Sequence, residues 1–384
     1  MKTWALPGLL LVLLVPTFSL MLRPGIYTMH APHVFRVQQF DKCIKDGVFP
    51  CRWAPDSGKG YGEPIFNFYA QFPYWITQIF RTVNFSILDS TKLAFIFSIL
   101  ASGLSMYLLA SRYWGRSGGL VSAIFYVYAP YRAVDVWVRG ALPEALAFVF
   151  YPLIILSLDK FLESKKPVFC FLFLIFLALL ITTHNLSFLM FSPFLLAFWL
   201  YKSISAKDFS SAPWLILSAV TVLGLTAYYW LPVVFESHLV TLDQTVTGYY
   251  DFHVHFTTLK ELFISRFWGY GASLWAQKFL SVSIGHLHWI LALILLPISI
   301  IKSKKIINHT SLFIILGFAA LFLTHGKSSF IWNLIAPMKY IQFPWRFLTI
   351  AVFFLSLSVG FVSKIYSNKV VLALLIISVI LFNF

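Results

Sequence analysis

Apolar and polar positions alternate along this chain in long blocks rather than in short periods. Runs of roughly 20 mostly apolar residues recur, the length that crosses a bilayer as a helix. They predict transmembrane helices near 92–111, 118–131, 142–158, 168–183, 186–201, 214–233, 287–301, 310–325, 344–363 and 369–384. A further apolar stretch follows Met1-Lys2 and runs to Leu22, ending in Met21-Leu22-Arg23-Pro24. A secretory signal has a shorter apolar core and a small-residue cleavage site, so this stretch reads as a retained first helix. The pattern therefore predicts an all-α polytopic membrane protein of about eleven spans.

Composition agrees with that class. Of 384 residues, 59% are hydrophobic and 11% charged, with a mean hydropathy of +0.81; a soluble domain carries about 25% charged residues. The net charge of +15 comes from Lys and Arg between the apolar runs, with no basic domain, so nucleic acid is not the expected partner. Membrane lipids are. Three cysteines make no disulfide framework. Cys43 and Cys51 share one loop and can pair in an oxidising compartment, whereas Cys170 lies inside an apolar run.

Short loops rich in Lys and Arg favour the cytoplasm. With the N-terminus inside, the inner loops hold Arg112 and Arg116; Lys160, Lys165 and Lys166; Lys202 and Lys207; Lys302, Lys304 and Lys305; Lys364 and Lys369. The outer side then receives the long segments 23–90, 234–286 and 326–343. No internal repeat is evident and few charges fall within the runs, which argues against a secondary transporter. The chemistry is expected on the outer face of a multi-pass protein of the cell membrane.

The first outer loop, 23–90, carries its own pattern. "FNFYAQFPYWITQIF", 66–80, suits an aromatic helix lying at the membrane surface; a further span is the other reading. "DSGKGYGEP", 56–64, is a Gly-rich turn without the strand–loop–helix setting of a phosphate loop.

Three stretches, "GVFPCRWAPDSGKGYGEPIFNFYAQFPYW", "PYRAVDVWVRGALPEALAF" and "IQFPWRFLT", resemble the bacterial membrane family described as pyruvoyl-tetrahydropterin-synthase-related, akin to the YfhO-like proteins. Nothing in the chain resembles a soluble pterin enzyme. The acidic, aromatic loop after the first helix resembles the GT-C superfamily more broadly. That resemblance implies a GT-C-like helical bundle in the bacterial inner membrane, formed by a single domain over 1–384. It implies an inverting glycosyltransferase with a polyprenyl-phosphate sugar donor and a glycan, lipid or protein acceptor. It also implies an outer domain beyond the final apolar run, "VVLALLIISVILFNF". Such a transfer needs a base for the acceptor hydroxyl and cations for the departing phosphate. A divalent cation, Mg or Mn, is the cofactor that this chemistry admits. The alternative is a non-catalytic membrane protein for lipid or polysaccharide export or assembly.

The resemblance leads one to expect Asp directly after His30, where this chain has Ala31 and Pro32. The candidate catalytic groups are therefore His30, His33, Asp135 and Glu144. Glu144 follows Pro143 at a helix start, where the helix dipole also favours an acid. Arg139, His184, Lys339, Arg346, Asp56 and Glu63 are candidate substrate-binding residues. Arg346 is placed either to hold a lipid phosphate or to reach the headgroups. Asp56 and Glu63 flank the Gly-rich turn, which suits capping as well as substrate. His253, His255, His286 and His288 alternate in the large loop, a weak metal pattern. The loop 29–75 is expected to roof a cavity lined by His30, His33, Asp135, Glu144 and Arg346, with position 31 facing into it.

Overall fold

A computed structural model describes residues 5–25, 31–269, 271, 273–274, 277–278 and 280–383. The main helices are α1 (Ala5–Leu14), α2 (Ala31–Lys45), α3 (Ile65–Phe68), α4 (Phe72–Thr82), α5 (Ile87–Val127), α6 (Leu142–Ser164) and α7 (Pro167–Thr183). There follow α8 (Asn185–Ala206), α9 (Ala212–Leu225), α10 (Ala227–Phe235), α11 (His286–Ser303), α12 (His309–Thr324), α13 (Pro344–Ile365) and α14 (Lys369–Asn383). A two-stranded antiparallel pair, Ser273–Leu274 with Gln277–Lys278, is the only sheet among the described residues.

The chain is helical and multi-pass, but the expectation of eleven spans is wrong. Among the described residues five helices are long and apolar enough to cross a membrane: α5, α6, α8, α11 and α13. A sixth is added if α9 and α10, bent by 71° at Thr226, count as one span. The reasons are local. The expected spans 92–111 and 118–131 lie on either side of Gly115 (φ 75, ψ 173), where two helices meet end to end within α5 and count as one. The first apolar run leaves the α-helix at Leu14 and continues as 3-10 turns, Val15–Thr17 and Ser19–Leu22. Pro16 sits at that change, without a backbone N–H for a continuing helix. Helices α7, α12 and α14 have 17, 16 and 15 residues. At 1.5 Å per residue they cover about 22–26 Å, less than the roughly 30 Å that a helix of typical span length covers.

The chain forms two compact units. The first comprises 1–17, 100–138 and 242–384; the second comprises 18–99 and 139–241. In the first, α12 packs along α13, every residue of which from Leu348 to Val359 is buried. The approach is close enough that a Cβ on Gly317 would lie 2.5 Å from Leu355 Cδ2. Trp114 Nε1 donates to the Leu357 carbonyl at 2.7 Å, and His288 Nε2 lies 2.9 Å from that of Phe125. In the second, α6 and α7 form the main helix pair, α9 lies on α7, and α4 packs on both α6 and α7. α10 packs on α3.

Candidate functional site

The segment 31–82 builds a small fold within the second unit. Helix α2 places Val37, Phe40 and Cys43 on one face, where they meet Cys51, Ala54, Phe66 and Tyr74 in a buried cluster. A disulfide joins Cys43 to Cys51. Asp41 ties α2 to α4 through a two-pronged contact with Arg81, Nε–Oδ1 and Nη2–Oδ2 both 3.2 Å, and also receives Lys45 at 2.8 Å. Burial works against its charge, but the bonds from Arg81 and Lys45 prevail and hold its pKa below the usual carboxylate value. The Gly-rich turn closes on itself. Ser57 Oγ donates to Glu63 at 2.7 Å, and Asp56 takes Lys42 at 2.8 Å and Gln39 at 2.9 Å. Asp56 and Glu63 are thus engaged within the loop. At Gly62 (φ 81) a Cβ would lie 2.2 Å from Trp53 Nε1, so only glycine fits.

One turn before this core lies a polar–aromatic cluster. His33 is 5% exposed, and its Nδ1 is 3.1 Å from the Tyr74 hydroxyl. Its ring also meets Tyr69 and Phe95. Arg36, one helical turn on, holds its guanidinium 4.1 Å from the centre of the Tyr69 ring, a cation–π distance. Burial opposes the Arg36 charge, yet Tyr74 and Tyr69 outweigh it and keep its pKa above the usual arginine value. Burial pushes the Tyr74 phenol well up. Across from α3, Tyr229 on α10 is buried, and its hydroxyl has no hydrogen-bond partner among the described residues. A relay joins the two sides: Arg52 Nη1 donates to Asn67 Oδ1 at 3.0 Å, and Asn67 Nδ2 donates to Glu236 at 2.6 Å. Arg36, Tyr69, Tyr229, Asn67 and Glu236 are not among the residues the sequence singles out. The readable trace is slight: Arg36 falls three positions after His33, on the same helix face.

Glu144 lies in the first turn of α6, 1% exposed, with Arg139 Nη1 2.7 Å from its Oε2. Gly140 (φ 57) makes the left-handed turn between the two partners. Both belong to the second unit, as do His33, Asp56, Glu63 and His184. His184, at the joint of α7 and α8, has its Nδ1 2.7 Å from Ser187 Oγ. Asp135, Lys339 and Arg346 belong to the first unit. Asp135 is buried in the π-helical turn Val134–Val138, 3.7 Å from the buried Arg132. Arg346 folds back on its own turn, with Nη1 donating to the Ile341 carbonyl at 2.6 Å and its guanidinium over Phe343. Lys339 is exposed. His30 lies outside the described residues, and so does the side chain of Ala31.

The four alternating histidines engage separate partners: His253 with Asp251 and Asn333, His255 with Ser273 and Tyr249, His286 with the Ile264 carbonyl, and His288 with that of Phe125. Among the described residues no three His, Cys, Asp or Glu side chains are grouped to hold a metal ion. The second unit also has an apolar cavity of about 430 Å³ lined by residues of α6 to α9, Phe173, Trp199 and Leu215 among them.

These features define a multi-pass helical membrane protein with charged pairs and phenols buried at helix ends and in the loop after its first helix. The chain belongs to the family of 6-pyruvoyl-tetrahydropterin synthase related domain membrane proteins, which matches residues 66–384. No curated protein matches it.

Proposed function

We propose that the chain is a membrane glycosyltransferase that moves a sugar from a polyprenyl-phosphate donor to an acceptor hydroxyl. The observation that carries this reading is Glu144: a carboxylate 1% exposed, in the first turn of a membrane helix, kept beside Arg139 at 2.7 Å. An ionisable group so placed in a membrane protein is a functional candidate by default, because its burial is costly. The acceptor oxygen attacks the anomeric carbon while the bond from that carbon to the phosphate oxygen breaks. The leaving polyprenyl phosphate keeps the bonding pair, and the acceptor proton passes to Glu144. Arg139 orients the carboxylate through its 2.7 Å contact with Oε2. The Cys43–Cys51 disulfide supports an extracytoplasmic position for the first loop, since disulfides persist in oxidising compartments. The lysines at the opposite ends of α6 and α8 support a cytoplasmic face there.

A non-catalytic role in lipid or polysaccharide export or assembly is the second reading. It is favoured by the same ion pair taken as a structural bond, since a base that stays with its arginine takes no proton. The test is transfer of labelled sugar from a polyprenyl-phosphate donor by the reconstituted chain. Glu144→Gln is expected to lower transfer by about 10²-fold or more, the order for a positioned base. Ala31→Asp is expected to raise it by a similar factor, about 10²-fold. No transfer by either the natural chain or Ala31→Asp leaves the non-catalytic reading standing.

A further inference from the structure

The cations of the first loop differ in one respect. Lys42 is paired with Asp56, and Lys45 and Arg81 with Asp41, while Arg52 donates to Asn67. Arg36 is set into the fold between α2 and the aromatic residues, yet among the described residues no carboxylate forms an ion pair with it. Its neighbours Tyr69 and Tyr74 are phenols, which carry no charge near neutrality and supply no counter-ion. A buried or part-buried charge is normally paired. On α10, the Tyr229 hydroxyl is buried without a hydrogen-bond partner among the described residues, although a buried hydroxyl is normally bonded. Tyr229 lies within electrostatic reach of Tyr69, and α10, which carries it, packs on α3, just ahead of Tyr69. Among the described residues Arg36 thus lacks an anion and Tyr229 an acceptor, and Tyr69 is the residue that links them.

We infer that Arg36, Tyr69 and Tyr229 form a binding site for a phosphate group. A tetrahedral oxyanion answers both vacancies at once. Its negative oxygens accept from the planar fork of Arg36, the geometry that suits arginine to phosphate. A further oxygen accepts from Tyr229. The Tyr69 ring holds the guanidinium from one face, the Tyr74 and Tyr69 hydroxyls engage part of its edge of N–H donors, and the phosphate takes the rest. Tyr74, engaged with the buried His33, limits how far Arg36 can swing and so pre-organises it. The phosphate is either free in solution or carried on a lipid; the chemistry at Arg36 is the same. The site stands apart from the sugar-transfer reading, because it holds phosphate whether or not a sugar is moved.

The test is direct binding to the purified full chain. Isothermal titration with inorganic phosphate in detergent gives one arm. The other uses nanodiscs of phosphatidylcholine doped with a polyprenyl phosphate, with the matching polyprenol as control. Binding in at least one arm is expected, with the phosphate-bearing lipid preferred over the polyprenol if the lipid is the source. Arg36→Ala is expected to weaken binding at least tenfold, and Arg36→Lys less. Tyr229→Phe, which removes only the unbonded hydroxyl and keeps the ring, is expected to weaken it several-fold without lowering the unfolding temperature. Lys42→Ala serves as a charge control and leaves affinity unchanged. Absence of binding in both arms overturns the inference. So does a Tyr229→Phe chain that is folded and binds as tightly as the natural one.

Discussion

Glu144 and Arg139 form a buried ion pair in the second unit, as Asp159 and Lys202 do. Removing one partner of a buried ion pair leaves the other uncompensated and costs about 3–5 kcal/mol. Arg139→Ala, which strands a carboxylate that is 1% exposed, is expected to cost about that much, read from thermal unfolding in detergent. Glu144→Gln keeps an acceptor for Arg139 and is expected to cost clearly less. An equal loss in both would mean that the pair contributes packing and little charge. Asp41 gives a pH-dependent counterpart. Its pKa in the fold is depressed, with the bonds from Arg81 and Lys45 prevailing over burial. The contribution is therefore complete above the unfolded carboxylate value, near pH 4, and is lost as pH falls through the lower folded value. The acid side of the stability profile should flatten in Asp41→Asn, while the profile above pH 5 keeps its shape. A profile whose acid limb is unchanged by that substitution would remove Asp41 from the account.

The first loop behaves as an element in its own right, with α2 and α4 closed around Phe40, Phe66 and Tyr74 and stapled by the disulfide. Phe40 is fully buried and meets Phe66, Tyr74 and Trp75. Phe40→Ala should destabilise by about 3–5 kcal/mol, the usual cost of so large a deletion in a core. A protease-accessibility assay on residues 45–64 would show it as earlier cleavage, and unchanged resistance would contradict the packing. Much of the helical layout was legible. The runs predicted at 142–158, 186–201, 287–301 and 344–363 lie on α6, α8, α11 and α13. What hydropathy does not register is where the backbone breaks inside an apolar run: it reads apolar density, and density continues through Pro16 although the α-helix does not. The site was legible only in part, for a similar reason. His33 and Glu144 show in sequence as polar groups beside apolar runs. Arg36, Tyr69 and Tyr229 become a group only through the packing of α3 on α10, which no local pattern encodes.

At the scale of the whole molecule, the orientation assigned to the second unit sets the two ends of its helices in different compartments. Lys59→Cys and Thr241→Cys, both at exposed positions, should react with a membrane-impermeant maleimide added to intact cells. Lys207→Cys, also exposed, should react only after permeabilisation. The reverse pattern would invert the topology and move the proposed chemistry to the cytoplasm. The relay from Arg52 through Asn67 to Glu236 has a further consequence, one of timing. The loop's own core and its disulfide, whose cysteines are 8 residues apart, draw only on early sequence. Asn67 must wait for Glu236, 169 residues further along the chain. At synthesis rates of about 5–20 residues per second, that wait is roughly 10–30 s. During it the loop is folded and oxidised while Tyr69 and Asn67 still lack the helix that covers them. The nascent chain therefore passes through a stage at which its outer fold is finished and its phenol cluster is not. A chain arrested before α10 should carry the Cys43–Cys51 bond and bind no phosphate.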